Sequence, residues 1–196
     1  MLDIAVSYEI YKFLGHDFLT WLWFMIDKDP GLLKTITGEE GYLEIGNRMV
    51  FENRSGNNVM ESVTIKGDDA GLEEGILSLK KGAMVTELNL SYRLGERIWQ
   101  FTVRGESFHI TQMKLPVNEK DGPEPDPEIV VLEKADLCEK IFILMDNLYA
   151  KFVKIRISER LGQETLPNMR LWLKSLHKEA LISIQKKSFL IDSVGY

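Results

Sequence analysis

Apolar residues crowd one short stretch of the chain. Phe18, Leu19, Trp21, Leu22, Trp23 and Phe24 leave only Thr20 between them as a polar position. The segment from Ser7 to Asp27 has helical character, with Gly15 as a place where the helix could break. Asp27-Lys28-Asp29-Pro30-Gly31 stops it. A helix that is apolar nearly all round cannot lie on a surface and has to be covered from several sides.

The pattern then changes to a period of two. Tyr42–Ile45 and Arg48–Glu52 flank Gly46-Asn47, the signature of a two-residue hairpin turn. From Val59 to Lys66, the apolar Val59, Val63 and Ile65 alternate with Ser62, Thr64 and Lys66, which predicts a strand with one buried face. Asp68-Asp69 can cap a short helix over 70–80, with Leu72, Ile76 and Leu79 on one side and Gly82 in the stop position. Three strands follow. Met84–Tyr92 points Met84, Leu88, Leu90 and Tyr92 inward, Arg97–Arg104 points Trp99, Phe101 and Val103, and Ser107–Lys114 points Phe108 and Ile110. Short turns at Leu94-Gly95-Glu96 and Gly105-Glu106 make these three an antiparallel meander.

Residues 116–130 break the pattern. Prolines at 116, 123, 125 and 127 alternate with acidic residues, so this stretch reads as an extended loop between a sheet domain (1–115) and a helical region (131–196). Beyond it Leu137, Ile141, Leu144, Leu148 and Ile155 recur at helical spacing, with Phe152 alongside. Gly162 and Pro167 punctuate, and Leu171, Trp172, Leu173, Leu176 and Leu181 mark a second helix. The fold class expected is α+β: an antiparallel β-sheet with packed helices and a long C-terminal helical hairpin, packed on the sheet or on a second subunit.

Charge changes this picture in one respect. The 196 residues carry a net charge of −6, a poor balance for a nucleic-acid coat. Residues 1–133, however, hold 13 basic and 23 acidic side chains, whereas residues 134–196 hold 11 basic and 7 acidic. Lys151, Lys154, Arg156, Arg170 and Lys174 belong to this basic region. They form either the solvated faces of helices or a surface that tracks phosphate. The single Cys138 excludes an internal disulfide and suits a reducing compartment. With no long apolar span and no secretory leader in view, a cytoplasmic protein without membrane contact is expected.

Candidate chemistry is sparse. His16, His109 and His177 lie in separate segments, and one cysteine cannot complete a zinc site. Cys138 sits mid-helix, where a thiol usually packs rather than reacts. Gly38-Glu39-Glu40-Gly41 and Gly67-Asp68-Asp69-Ala70-Gly71 lack the lysine and spacing of a phosphate loop. The acidic pairs Glu39/Glu40, Asp68/Asp69 and Glu73/Glu74 fall on loops or an exposed helix face. The expectation is a non-enzymatic protein with no cofactor and no metal.

One resemblance adds to this reading. His16-Asp17-Phe18-Leu19-Thr20-Trp21-Leu22-Trp23-Phe24 resembles the "G-x-E-F-L-T-W-L-W" segment of short proteins related to RdgC, the recombination-associated DNA-binding family. Val63–Gly67, Glu73-Glu74 and Leu79–Leu90 look like the strand, helix and strand of that family's C-terminal half, and Trp99-Gln100-Phe101 and Leu166–Trp172 are similar too. The likeness spans roughly residues 10–173 and rests on hydrophobic motifs. It implies a dimeric protein that binds double-stranded DNA without sequence preference and restrains a recombinase. By position it implies DNA contacts from Lys66, with Lys80 and Lys81 standing in for a lysine that is replaced by Ala83 here. The chain lacks most of the family's N-terminal half. The alternative from the residues themselves is a protein–protein or oligomerisation module without DNA binding, marked by an apolar stripe left exposed on the helix from Leu132 to Leu161.

Overall fold

A computed structural model describes residues 4–38, 40–54, 60–66, 75, 78–79, 82–116, 126–158 and 161–175. In it the all-round apolar segment becomes the middle layer. Helix α1 (Ile4–Lys28) lies between a five-stranded sheet and a helical layer formed by α3 (Pro127–Ile157) and the α-helical residues 166–175. Trp23 meets Phe51 of the sheet at 6.1 Å and Trp172 at 5.1 Å between ring centroids, while Phe18 and Trp21 meet Phe152 of α3 at 5.6 and 5.5 Å. Every residue from Phe18 to Met25 except the half-buried Thr20 is buried. The requirement for cover on several sides is met by two layers.

Helix α1 is not broken at Gly15. A Cβ there would stand 1.7 Å from the Gly105 carbonyl oxygen. The glycine is therefore a point of close approach between the helix and the turn after β4 rather than a hinge. Pro30 does end α1, and it also opens a helix the sequence pattern did not suggest, α2 (Pro30–Thr37). Its missing N–H costs nothing in a first turn.

The sheet comprises β1 (Gly41–Arg54), β2 (Met60–Lys66), β3 (Met84–Leu94), β4 (Arg97–Arg104) and β5 (Ile110–Lys114), in the order β2-β1-β3-β4-β5 with every neighbouring pair antiparallel. The β3-β4-β5 meander is as expected, with Trp99, Phe101 and Val103 buried on β4. The turn expected at Gly46-Asn47 is a correction. Tyr42 to Glu52 is one continuous strand, because β3 pairs with both halves of it. Residues 46–48 of β1 oppose only Asn89, since Ile45 faces Leu90 and Met49 faces Leu88. A Cβ on Gly46 would lie 1.9 Å from Asn89 Oδ1, so the glycine makes room for a bulge. The reversal comes after Arg54, which pairs with Met60.

A second bulge explains a smaller misreading. Val50 opposes Glu87 and Phe51 opposes Val85, leaving Thr86 as the extra residue. The phase shifts there, so Val85 and Leu88 are both buried, and Met84, expected inward, is only half-buried. On β2, Ile65 is buried, but Val63, expected beside it, is exposed on the sheet edge. Phe108 is also not a strand residue. With a φ of +53° it leaves the turn before β5 and stacks edge-on against Tyr149 of α3, 4.7 Å between centroids.

Most of the helix expected over 70–80 lies outside the described residues. At its end Gly82 adopts φ +88°, its N–H bonds the Leu79 carbonyl, and Ala83 N–H bonds that of Ser78. That paired closure of a helix favours glycine. The loop expected through residue 130 ends at Asp126 instead. The Asp126 carboxylate accepts a hydrogen bond from Glu128 N–H at 3.0 Å, with Pro127 in the first turn of α3. An acidic cap followed by proline is a helix start, which the loop-like composition concealed. Trp99 Nε1 donates to the Leu137 carbonyl at 3.1 Å, tying the sheet to α3 within one hydrophobic cluster.

Candidate interaction site

Helix α3 has two apolar faces with different surroundings. The inner face carries Leu137, Ile141, Leu144, Met145, Leu148 and Phe152, all buried. On the opposite side Leu132, Ile143, Ala150 and Ile157 follow one another at spacings of eleven, seven and seven residues, which return to the same side of a helix. Leu132 is 69% exposed, Ile143 52% and Ile157 80%, with Phe142 flanking the stripe. The charge along α3 is also divided. Its first half holds Glu128, Glu133, Asp136 and Glu139 against Lys134 and Lys140, and its last turns hold Lys151, Lys154 and Arg156 after the single Asp146.

The basic residues expected to contact DNA are scattered. Lys66 is exposed at the end of β2, an edge strand. Lys80 and Lys81 lie outside the described residues. Arg156 is committed inward: its guanidinium bonds the Asp17 carboxylate of α1 and lies 6.0 Å from the centre of the Phe152 ring. Lys151 is half-buried in the wall of a cavity. Lys154, Arg170 and Lys174 are exposed. Lys154 thus lies on α3, Arg170 and Lys174 on the helical residues 166–175, and Lys66 on the sheet edge. The sequence offered no signal for the Arg156–Asp17 pair, whose members are 139 positions apart.

Among the described residues, histidine, cysteine and carboxylate side chains do not converge on one point. His16 is buried against Gly105, His109 is exposed, and His177 lies outside the described residues. Among the described residues no group of three histidine, cysteine, aspartate or glutamate side chains could hold a metal ion. Cys138 is half-buried on α3. The Glu87 carboxylate is held between Arg48 and Arg104, each at 3.0 Å, an ion-paired cluster on the sheet. Burial pushes the Tyr92 phenol above its usual range, and its hydroxyl donates to the Thr37 carbonyl at 3.3 Å. Of the acidic pairs, only Glu40 is described, and it is exposed.

A cavity of about 620 Å³ opens where α1, the end of α3 and the last described helix meet. Trp21, Phe24, Met25, Ile155, Leu171 and Trp172 supply its apolar wall. Lys28, Asp29, Lys151 and Glu164 stand at its polar side. Part of the rim comes from Leu161–Thr165, a π-helical turn. Trp172 is anchored by a 2.7 Å bond from its indole N–H to Asp27, which also pairs with Lys28 at 3.2 Å. Sequence reasoning treated Trp21 and Trp172 as core residues only. Their lining a cavity depends on segments more than a hundred residues apart, for which no local pattern exists.

No family model, no curated protein and no solved structure matches this chain. Among the described residues no helix is long and apolar enough to cross a membrane.

Proposed function

We propose that the chain is a non-enzymatic interaction module whose outer α3 face is covered by the same face of a second copy. The observation that carries this reading is the stripe Leu132, Ile143, Ala150 and Ile157, flanked by Phe142, apolar and open to solvent on a helix already packed by its other side. Packing apolar side chains away from water is worth about 25 cal/mol per Å², so such a stripe favours association. An antiparallel two-fold pairing brings Leu132 towards Ile157 of the second copy and places Lys154, the cation of the last turns that is neither paired inward nor in the cavity wall, over the acidic first half of the other α3.

The test is the mass in solution by light scattering and sedimentation, at several concentrations and salt levels. A dimer that Ile143→Lys converts to a folded monomer supports the reading. A wild-type chain that stays monomeric at about 100 μM, on the weak side for a specific complex, sinks it.

A second reading keeps the DNA contact implied by the family resemblance. It is favoured by Lys154, Arg170 and Lys174, exposed on the helical layer and, among the described residues, without an ion pair. Binding of this kind displaces counterions from phosphate and reads no base. Anisotropy of unrelated labelled duplexes over a salt series tests it. Affinity should fall steeply with salt for all of them, and alanine at the three positions should flatten the slope by roughly one unit per lost phosphate contact. An unchanged slope removes these residues from the contact.

A further inference from the structure

We infer that the cavity between α1 and the helical layer binds a small amphipathic monocarboxylate, with its apolar body against Trp21, Phe24 and Trp172 and its carboxylate at Lys151. Three observations converge. The volume, about 620 Å³, falls within the range of small-molecule sites, and the wall combines aromatic and aliphatic side chains with a few polar groups, as such sites do. Leu171, at the mouth, is left 62% exposed beside the apolar wall. The rim includes a π-helical turn, a register that recurs at functional sites.

Charge decides the ligand class. Lys28 is engaged by Asp27 at 3.2 Å. Lys151 has no ion pair among the described residues, and it is the lining cation left to meet an anion. Glu164 stands on the same rim. Lys151 can offset one negative charge on a ligand, whereas a second, as on a dianionic phosphate, would meet no further unpaired lining cation among the described residues and would lie near Glu164. A fatty or aromatic monocarboxylate satisfies both the wall and the rim.

The experiment titrates the full-length protein with sodium decanoate, decanol and decyl phosphate, below their aggregation concentrations. Tryptophan fluorescence and calorimetry report binding, and circular dichroism confirms that each variant is folded. The expected result is saturable 1:1 binding of decanoate, with decanol and decyl phosphate weaker. Lys151→Gln should weaken decanoate by roughly tenfold while leaving decanol unchanged, because only a charged contact is lost. Leu171→Trp, bulk without charge at an exposed position beside the apolar wall, should narrow the opening and weaken both. No saturable decanoate binding overturns the inference. So does decanoate binding that neither variant changes, or binding in which decanol equals decanoate.

Discussion

Helices α1 and α3 are both apolar on more than one side, yet the fold treats them differently. From Phe18 to Ile26, α1 has no charged residue, and the sheet and the helical layer cover it on opposite sides. Among the described residues helix α3 is covered on its inner face alone, and its outer stripe is interrupted by Glu139 and Asp146. Interspersed charge distinguishes a surface meant to be dry at all times from one that tolerates water until a partner arrives. An apolar count alone does not separate the two cases.

The comparison can be broken most easily from the α1 side. Phe18→Ala removes a fully buried ring that meets Trp21, Phe108, Tyr149 and Phe152, and it should cost about 3–5 kcal/mol in urea unfolding. If the loss were under about 1 kcal/mol, α1 would not be the middle layer. Gly15→Ala comes next. The added methyl meets a backbone carbonyl rather than a flexible side-chain end, so destabilisation of about 1–3 kcal/mol is expected, read as a lower midpoint in the same unfolding curve. Trp172→Phe keeps an aromatic ring against Trp23 and Phe24 but removes the donor to Asp27, and should cost about 1–2 kcal/mol. On the outer face of α3, Phe142→Ser should change monomer stability by no more than about 0.5 kcal/mol while lowering the dimer fraction in sedimentation. A large loss of monomer stability there would erase the contrast between the two helices.

The parts of the fold legible from sequence were those with a strong local period. The buried α1 segment, the β3-β4-β5 meander and the inner stripe of α3 each follow from spacing within one element. What escaped depends on partners distant in sequence. Gly46-Asn47 carries the same local signal for a turn and for a bulge, and the choice between them is made by β3, forty residues on. Pro127 stands among loop-like residues in sequence, but it opens the helix that Asp126 caps. The outer stripe was legible as a conditional, since its exposure could be read only once the inner face was packed. The cavity was not legible at all, because Trp21, Lys151 and Trp172 are joined only by the tertiary fold.

The placement of α1 has a consequence for how the chain is made. On the ribosome this helix is synthesised ahead of every element that will cover it, the sheet residues 83–103 and the helical residues 137–172. At about 5–20 residues per second, its two tryptophans wait on the order of ten seconds for Trp172 to emerge. Until the sheet is complete at Lys114 the most apolar segment of the nascent chain has no native partner, and from then until α3 and Trp172 emerge the sheet alone can cover it. Its safe passage then depends on holding chaperones, on the pace of translation, or on temporary burial in non-native contacts that must later be undone.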